Sequence, residues 1–123
     1  MVSLLILSLV TGTAPPLPAM PGFVDTARLM SMCKAEGPDA KSGQAICTGY
    51  VIGAVDQLMA QQARREGPRR TICPPKSLTV NEAVAAIVKY SRFGATAKGI
   101  GASGFIRFAM EDTYPCQVRG VGQ

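Results

Sequence analysis

Four cysteines constrain the fold of this chain more than any other feature of its sequence. They lie far apart, at Cys33, Cys47, Cys73 and Cys116. An even number of cysteines behind an export signal is typical of a disulfide framework. A zinc site is the alternative, but zinc-binding cysteines usually come in close pairs, and no two of these are close in the chain. Of the three pairings that four cysteines allow, we predict the most local one, which joins Cys33 to Cys47 and Cys73 to Cys116.

The start of the chain has the order of a secretory signal peptide. Residues 1–10 form an apolar run that is too short to span a bilayer as a helix, and residues 11–21 are rich in proline and small side chains. We therefore assign residues 1–21 to export, with Ala14 or Ala19 before the cleavage site, and residues 22–123 to one mature, exported domain. No Lys or Arg precedes the apolar run, so the signal is atypical or the true start lies upstream. A buried N-terminal helix is the alternative interpretation.

Hydrophobic residues that recur every three or four positions predict four helices. The predicted ranges are residues 25–35, 42–65, 79–94 and a fourth helix around residues 105–110 that ends before Pro115. Thr79 and Glu82 form a capping box at the start of the third helix, and Gly94 provides its stop. No segment alternates polar and apolar residues as a half-buried strand does. The predicted fold class is therefore all-α, a compact four-helix arrangement with two disulfides.

The second helix carries two internal glycines, Gly49 and Gly53. Each costs up to about 1 kcal/mol relative to alanine inside a helix. Close packing of a neighbouring helix would explain them, because glycine has no side chain to block the approach. The apolar positions of this helix are predicted to share its buried face: Ile46, Cys47, Tyr50, Val51, Ala54, Val55 and Leu58. Phe23 is expected to add apolar surface at the first helix.

The composition argues against catalysis and against a metal site. Histidine is absent, which removes the commonest general base and the commonest metal ligand. The carboxylates Asp56, Glu111 and Asp112 are interpreted as surface charges or helix-end partners. The glycine string at residues 99–104 has the G-x-G-x-x-G spacing, but it follows no strand and is interpreted as a flexible connection. We therefore predict that the protein is not an enzyme and has no cofactor.

Basic residues concentrate where the second predicted helix ends. Residues 64–76 carry a net charge of +4, against +5 for the whole chain. One interpretation is a solvated loop that is kept soluble by its charge. The other is electrostatic contact with an acidic partner protein, because arginine binds carboxylates through two parallel hydrogen bonds. No aromatic residues interleave with these charges, which disfavours nucleic acid as the partner.

Several stretches resemble one protein family. Residues 47–56 read CTGYVIGAVD, which resembles the C-x-G-Y-I-x-G-x-x-D motif of the Rap/Tai immunity family. Further matches follow in the same order: CPPKSLT at residues 73–79, VKY at residues 88–90, and the closing segment with residues 109–110 and YPC at residues 114–116. The resemblance covers about residues 24–116, which is nearly the whole predicted mature chain.

The resemblance implies an immunity protein that binds and inhibits a peptidoglycan amidase of type VI secretion. Members of the family use loops to block the amidase cleft, often as homodimers. This chain departs from the family where Gly94 and Ala95 replace a usual His-Pro pair and Gly101 replaces a usual proline. No loop residue transfers by motif, so the partner-binding candidates come from two charged or glycine-rich segments: Arg64, Arg65, Arg69, Arg70, Lys98, Gly99 and Gly101.

A small periplasmic chaperone of the acid-stress type is the alternative function, since such proteins share a helical and disulfide-bonded plan. Acid chaperones tend to titrate strongly at acidic pH. This chain has 8 carboxylate side chains and no histidine, which favours the immunity interpretation. A neighbouring gene for a Cys-His amidase would support that interpretation further.

Overall fold

The computed structural model describes residue 12 and residues 22–65, 69–96 and 100–117. Within these residues the chain forms four α-helices and no strand, which confirms the all-α prediction. The helices are α1 (Thr26–Cys33), α2 (Ala40–Ala63), α3 (Val80–Tyr90) and α4 (Ala102–Thr113). Two short 3₁₀ turns, Gly37–Asp39 and Ser91–Thr96, precede α2 and follow α3. The predicted signal peptide at residues 1–21 lies outside the described residues except for Gly12.

Side-chain caps set the starts of α1 and α3. The Asp25 carboxylate accepts a hydrogen bond from the Arg28 backbone N–H at 2.7 Å, which satisfies one of the unpaired donors of the first turn of α1. The predicted capping box of α3 is confirmed. The Glu82 N–H donates to the Thr79 hydroxyl at 3.2 Å, and the Thr79 N–H donates to the Glu82 carboxylate at 2.8 Å.

The stop predicted at Gly94 is wrong, because α3 ends at Tyr90. The Ser91 hydroxyl donates to the carbonyl of Val88 at 2.6 Å. The chain then tightens into the 3₁₀ turn Ser91–Thr96, a common way to satisfy the last carbonyls of a helix.

All four helices contribute to one core. Its most buried side chains are Leu29 of α1, Cys47 and Val51 of α2, Ile87 of α3, and Phe105, Ile106 and Met110 of α4. Among the apolar contributors predicted for α1 and α2, two are exposed: Ile46 is 54% exposed, and Phe23 is fully exposed before α1 begins. Ile46 precedes the buried Cys47, and one residue turns a helix by about 100°. That turn places Ile46 away from the core.

Both predicted disulfides are confirmed. Cys33 at the end of α1 is bonded to Cys47 of α2, with 5.0 Å between their Cα atoms. Cys73 is bonded to Cys116, with 4.8 Å between Cα atoms, and this bond ties the loop before α3 to the segment after α4. The described residues contain no free cysteine.

The predicted close approach at Gly49 and Gly53 is wrong. Both are exposed on α2, and a Cβ atom added at either would meet nothing within 4 Å. The close approach occurs instead at Gly43. A Cβ atom there would lie 2.7 Å from the Cβ of Ala35 and 3.3 Å from the carbonyl oxygen of Met32. Glycine at this position therefore lets the start of α2 pack against the end of α1.

None of the described helices is both long enough and apolar enough to cross a membrane.

Candidate partner-binding site

The four arginines of the basic segment that the structure describes are all exposed at the C-terminal end of α2 or beyond it. Arg64 and Arg65 follow the helix directly, and Arg69 and Arg70 lie on the return. The Arg70 Nε donates to the Arg65 backbone carbonyl at 3.0 Å, so the structure brings these two predicted residues together. Residues 66–68, which include Gly67 and Pro68, lie outside the described residues.

A buried glutamine fixes the return of this segment. Gln62, on the last turn of α2, is 6% exposed. Its Oε1 accepts hydrogen bonds from the backbone N–H groups of Thr71 at 2.9 Å and Ile72 at 3.2 Å. Its Nε2 donates to the Thr71 hydroxyl at 3.3 Å. One side chain therefore joins α2 to the chain that returns toward α3.

Contacts with α4 hold the same return from the other side. The Thr71 hydroxyl donates to a Glu111 carboxylate oxygen at 3.1 Å, and the Arg107 Nε donates to that oxygen at 3.0 Å. The Cys73 backbone N–H donates to the Tyr114 carbonyl at 2.8 Å beside the second disulfide. A surface segment whose ends are held by a rigid scaffold is a common arrangement for recognition.

Gln62 was missed because glutamine is not an apolar residue. It lies four positions after Leu58, so it continues the buried face of α2. A polar residue at a position on the buried face could have revealed it. Buried polar groups in proteins are nearly always hydrogen-bonded, so such a residue indicates a structural hydrogen bond.

An open groove runs beside the basic segment, between α2 and the chain that leads into α3. Val55, Met59, Ile72 and Leu78 provide apolar lining. Its charged lining residues are Asp56, Arg70 and Lys76. Of the predicted binding residues, Arg70 therefore lines the groove. The groove was not predicted, because its walls are far apart in the sequence.

The groove continues toward the N-terminal end of α3. This adjoining cleft shares Val55, Asp56 and Leu78 with the first part, and it adds Ile52 and Val80. Ile52 is 40% exposed and Val80 is 39% exposed. Exposed apolar side chains therefore line both walls of this second part.

The glycine-rich segment is held at its C-terminal end. Lys98 and Gly99 lie outside the described residues, and Gly101 is the half-buried N-cap residue of α4. The Ala102 N–H donates to the Val24 carbonyl at 2.9 Å, and the Thr26 hydroxyl donates to the Ile100 carbonyl at 2.7 Å. These bonds pair the segment with the chain before α1.

An aromatic contact precedes the glycine-rich segment. Phe93, which is 65% exposed, lies 5.9 Å from Tyr90 between ring centroids, and Tyr90 lies 5.4 Å from the buried Phe105. The 3₁₀ turn is therefore packed on the core through Tyr90.

The part of the chain that the structure describes holds few interactions between charged side chains. The one ion pair there is between Arg107 and Glu111, and no group of three or more Cys, Asp or Glu residues could hold a metal ion. The backbone N–H of Thr79, assisted by its hydroxyl, lowers the pKa of the Glu82 carboxyl, which is the effect of the capping box.

Comparison with known proteins gives one match. The family model described as Rap1a immunity proteins matches residues 25–116. No curated protein and no solved structure matches the chain.

Proposed function

The chain belongs to the Rap1a immunity protein family, and from this premise we propose that it binds and inhibits a peptidoglycan amidase delivered by type VI secretion. The family match over residues 25–116 is the observation that carries the proposal. Membership implies that the partner is a protein effector. The choice of an amidase as the target rests on the resemblance of residues 47–56 and 73–79 to the Rap/Tai motifs.

We propose inhibition by occupation of the effector's cleft, with no chemical change in either protein. Two segments are suited to this role. The first includes Arg64, Arg65, Arg69 and Arg70, which are exposed and can bind carboxylates on the effector. The second includes Lys98, Gly99 and Gly101, where the lack of side chains on two residues would let the backbone enter a narrow cleft.

The proposed location is the periplasm, where such an amidase reaches its substrate. Two disulfides support an exported protein, because disulfides persist in oxidising compartments. The apolar run at residues 1–10 would act as the export signal. Homodimer formation stays a prediction, which sedimentation of the purified mature chain would test.

A protection assay tests the proposal in cells. Peptidoglycan amidases encoded in the same genome are sent in turn to the periplasm of a susceptible strain, and lysis is followed with and without the full chain. We expect the full chain to prevent lysis and a version without residues 1–21 to give no protection. Lysis that continues although the full chain accumulates in the periplasm would overturn the proposed function.

A further inference from the structure

The groove beside α2 has the composition of a docking surface for a protein segment. We use "the α2 groove" for the two adjoining clefts lined by Ile52, Val55, Asp56, Met59, Leu78 and Val80 and, at the basic end, by Arg70 and Lys76. Ile52 and Val80 expose apolar surface on opposite walls of the cleft, from α2 and from the first turn of α3. Contiguous exposed apolar surface with a polar rim is typical of interaction sites.

The charged side chains of the α2 groove are exposed. Among the residues that the structure describes, Asp56, Arg70 and Lys76 form no ion pair. The Arg70 guanidinium is oriented by its bond to the Arg65 carbonyl. The basic end of the groove also continues into the exposed Arg69, Arg65 and Arg64, so its charge is strongly positive.

The walls of the α2 groove are fixed before any partner arrives. Gln62 holds one wall through its hydrogen bonds to Thr71 and Ile72. The disulfide between Cys73 and Cys116 ties the same wall to the segment after α4. The Leu78 N–H also donates to the Pro75 carbonyl at 3.1 Å. A preformed surface loses little conformational entropy on binding, which favours affinity.

We propose that the α2 groove docks an acidic segment of the effector. Apolar side chains of that segment enter between Ile52 and Val80 and over Met59, and its carboxylates lie against Arg70 and Lys76. The inference rests on the proposed function, and it adds the contact surface and the chemistry of the partner segment.

Charge complementarity identifies this occupant. A second copy of the chain carries a net charge of +5, so the basic end of the groove would repel it. An acidic segment would instead be attracted to that end. Nucleic acid would be expected to stack on aromatic side chains, and no aromatic residue lines either part of the α2 groove.

Binding kinetics with the purified mature chain and the amidase from the protection assay test the inference. Lys76→Glu should slow association about tenfold at low salt, and the effect should shrink at high salt, because it removes electrostatic steering. The matched control is Lys41→Glu on the first turn of α2, which changes the net charge equally but lies outside the groove. It should leave the association rate within about twofold.

A second pair of variants tests the apolar part of the α2 groove. Ile52→Ser should raise the dissociation rate about tenfold with little dependence on salt, because it removes buried contact area. Ile46→Ser changes another exposed isoleucine of α2 outside the groove and should have little effect.

The outcomes separate the groove from the proposed function. If the wild-type chain binds the effector and neither Lys76→Glu nor Ile52→Ser differs from its control, the α2 groove is not the docking surface, while the proposed function stands. If Lys41→Glu slows association as much as Lys76→Glu, net charge alone acts and the groove inference is overturned. If the wild-type chain fails to bind the effector, both proposals fall.

Discussion

The side chain of Gln62 accepts a hydrogen bond from the backbone N–H of Ile72 at 3.2 Å inside the protein. The same oxygen accepts from the N–H of Thr71 at 2.9 Å. A glutamine of α2 thus provides the acceptor that a neighbouring strand would provide in a sheet. The basic segment between Gln62 and Thr71 is closed by this side chain, and one wall of the α2 groove depends on it.

Gln62→Leu should lower the free energy of unfolding by about 1–3 kcal/mol, because it leaves the backbone N–H of the buried Ile72, and that of Thr71, without their acceptor. Gln57→Leu on the exposed side of α2 is the matched control and should change stability by less than about 0.5 kcal/mol. Urea denaturation measures both variants. Equal stability of Gln62→Leu and the wild-type chain would show that these bonds do not hold the segment.

Gly43→Ala should destabilise the protein by about 1–3 kcal/mol through overpacking against Ala35 and Met32. Gly53→Ala should stabilise it by up to about 1 kcal/mol, because alanine is the better helix former and the space around Gly53 is open. Thermal unfolding of the two variants gives opposite shifts in Tm. Shifts of the same sign would contradict the packing of α1 on α2.

Glu82→Gln tests the charge of the capping box. Hydrogen bonds from Thr79 lower the pKa of the Glu82 carboxyl below its ordinary value of 4.5. A carboxyl whose pKa is lowered by folding adds stability above its unfolded pKa, and the stability is lost as pH falls through its folded pKa. The wild-type chain should therefore exceed the variant in stability at neutral pH, and the difference should shrink once pH falls below about 4.5. A difference that stays constant down to pH 3 would contradict this role.

The two candidate inhibitory segments differ in their expected kinetics. If the arginines steer association, changing Arg69 and Arg70 together to Glu should slow binding to the effector and weaken its dependence on salt. If the glycine-rich segment enters the cleft, Gly99→Pro should raise the dissociation rate with little effect of salt. Measurements at two salt concentrations separate the alternatives, and neither segment is inhibitory if both variants bind as the wild-type chain does.

The fold class, both disulfides and the capping box could be predicted because each depends on a local or countable signal. The packing of α2 was only partly predictable. Periodicity placed Cys47, Val51 and Leu58 correctly on the buried face and erred at Ile46. It carries no information on which glycine meets a neighbouring helix, so Gly49 and Gly53 were wrongly assigned to the contact that Gly43 makes.

The candidate site was only partly predictable for a related reason. Arg70 was identified from charge alone. The α2 groove forms only when residues 52–59 and 70–80 meet in three dimensions, and Gln62 shows its role only through its hydrogen bonds. The resemblance to a family pointed to the function without locating the surface that performs it.

Titration of the effector's peptidoglycan-cleaving activity with the purified mature chain tests the central claim most directly. The effector is the amidase used in the protection assay, and cleavage is followed by release of soluble fragments. We predict that cleavage stops near equimolar amounts and that both proteins keep their masses, because inhibition is by binding alone. Undiminished cleavage at a large molar excess of the mature chain would contradict the account.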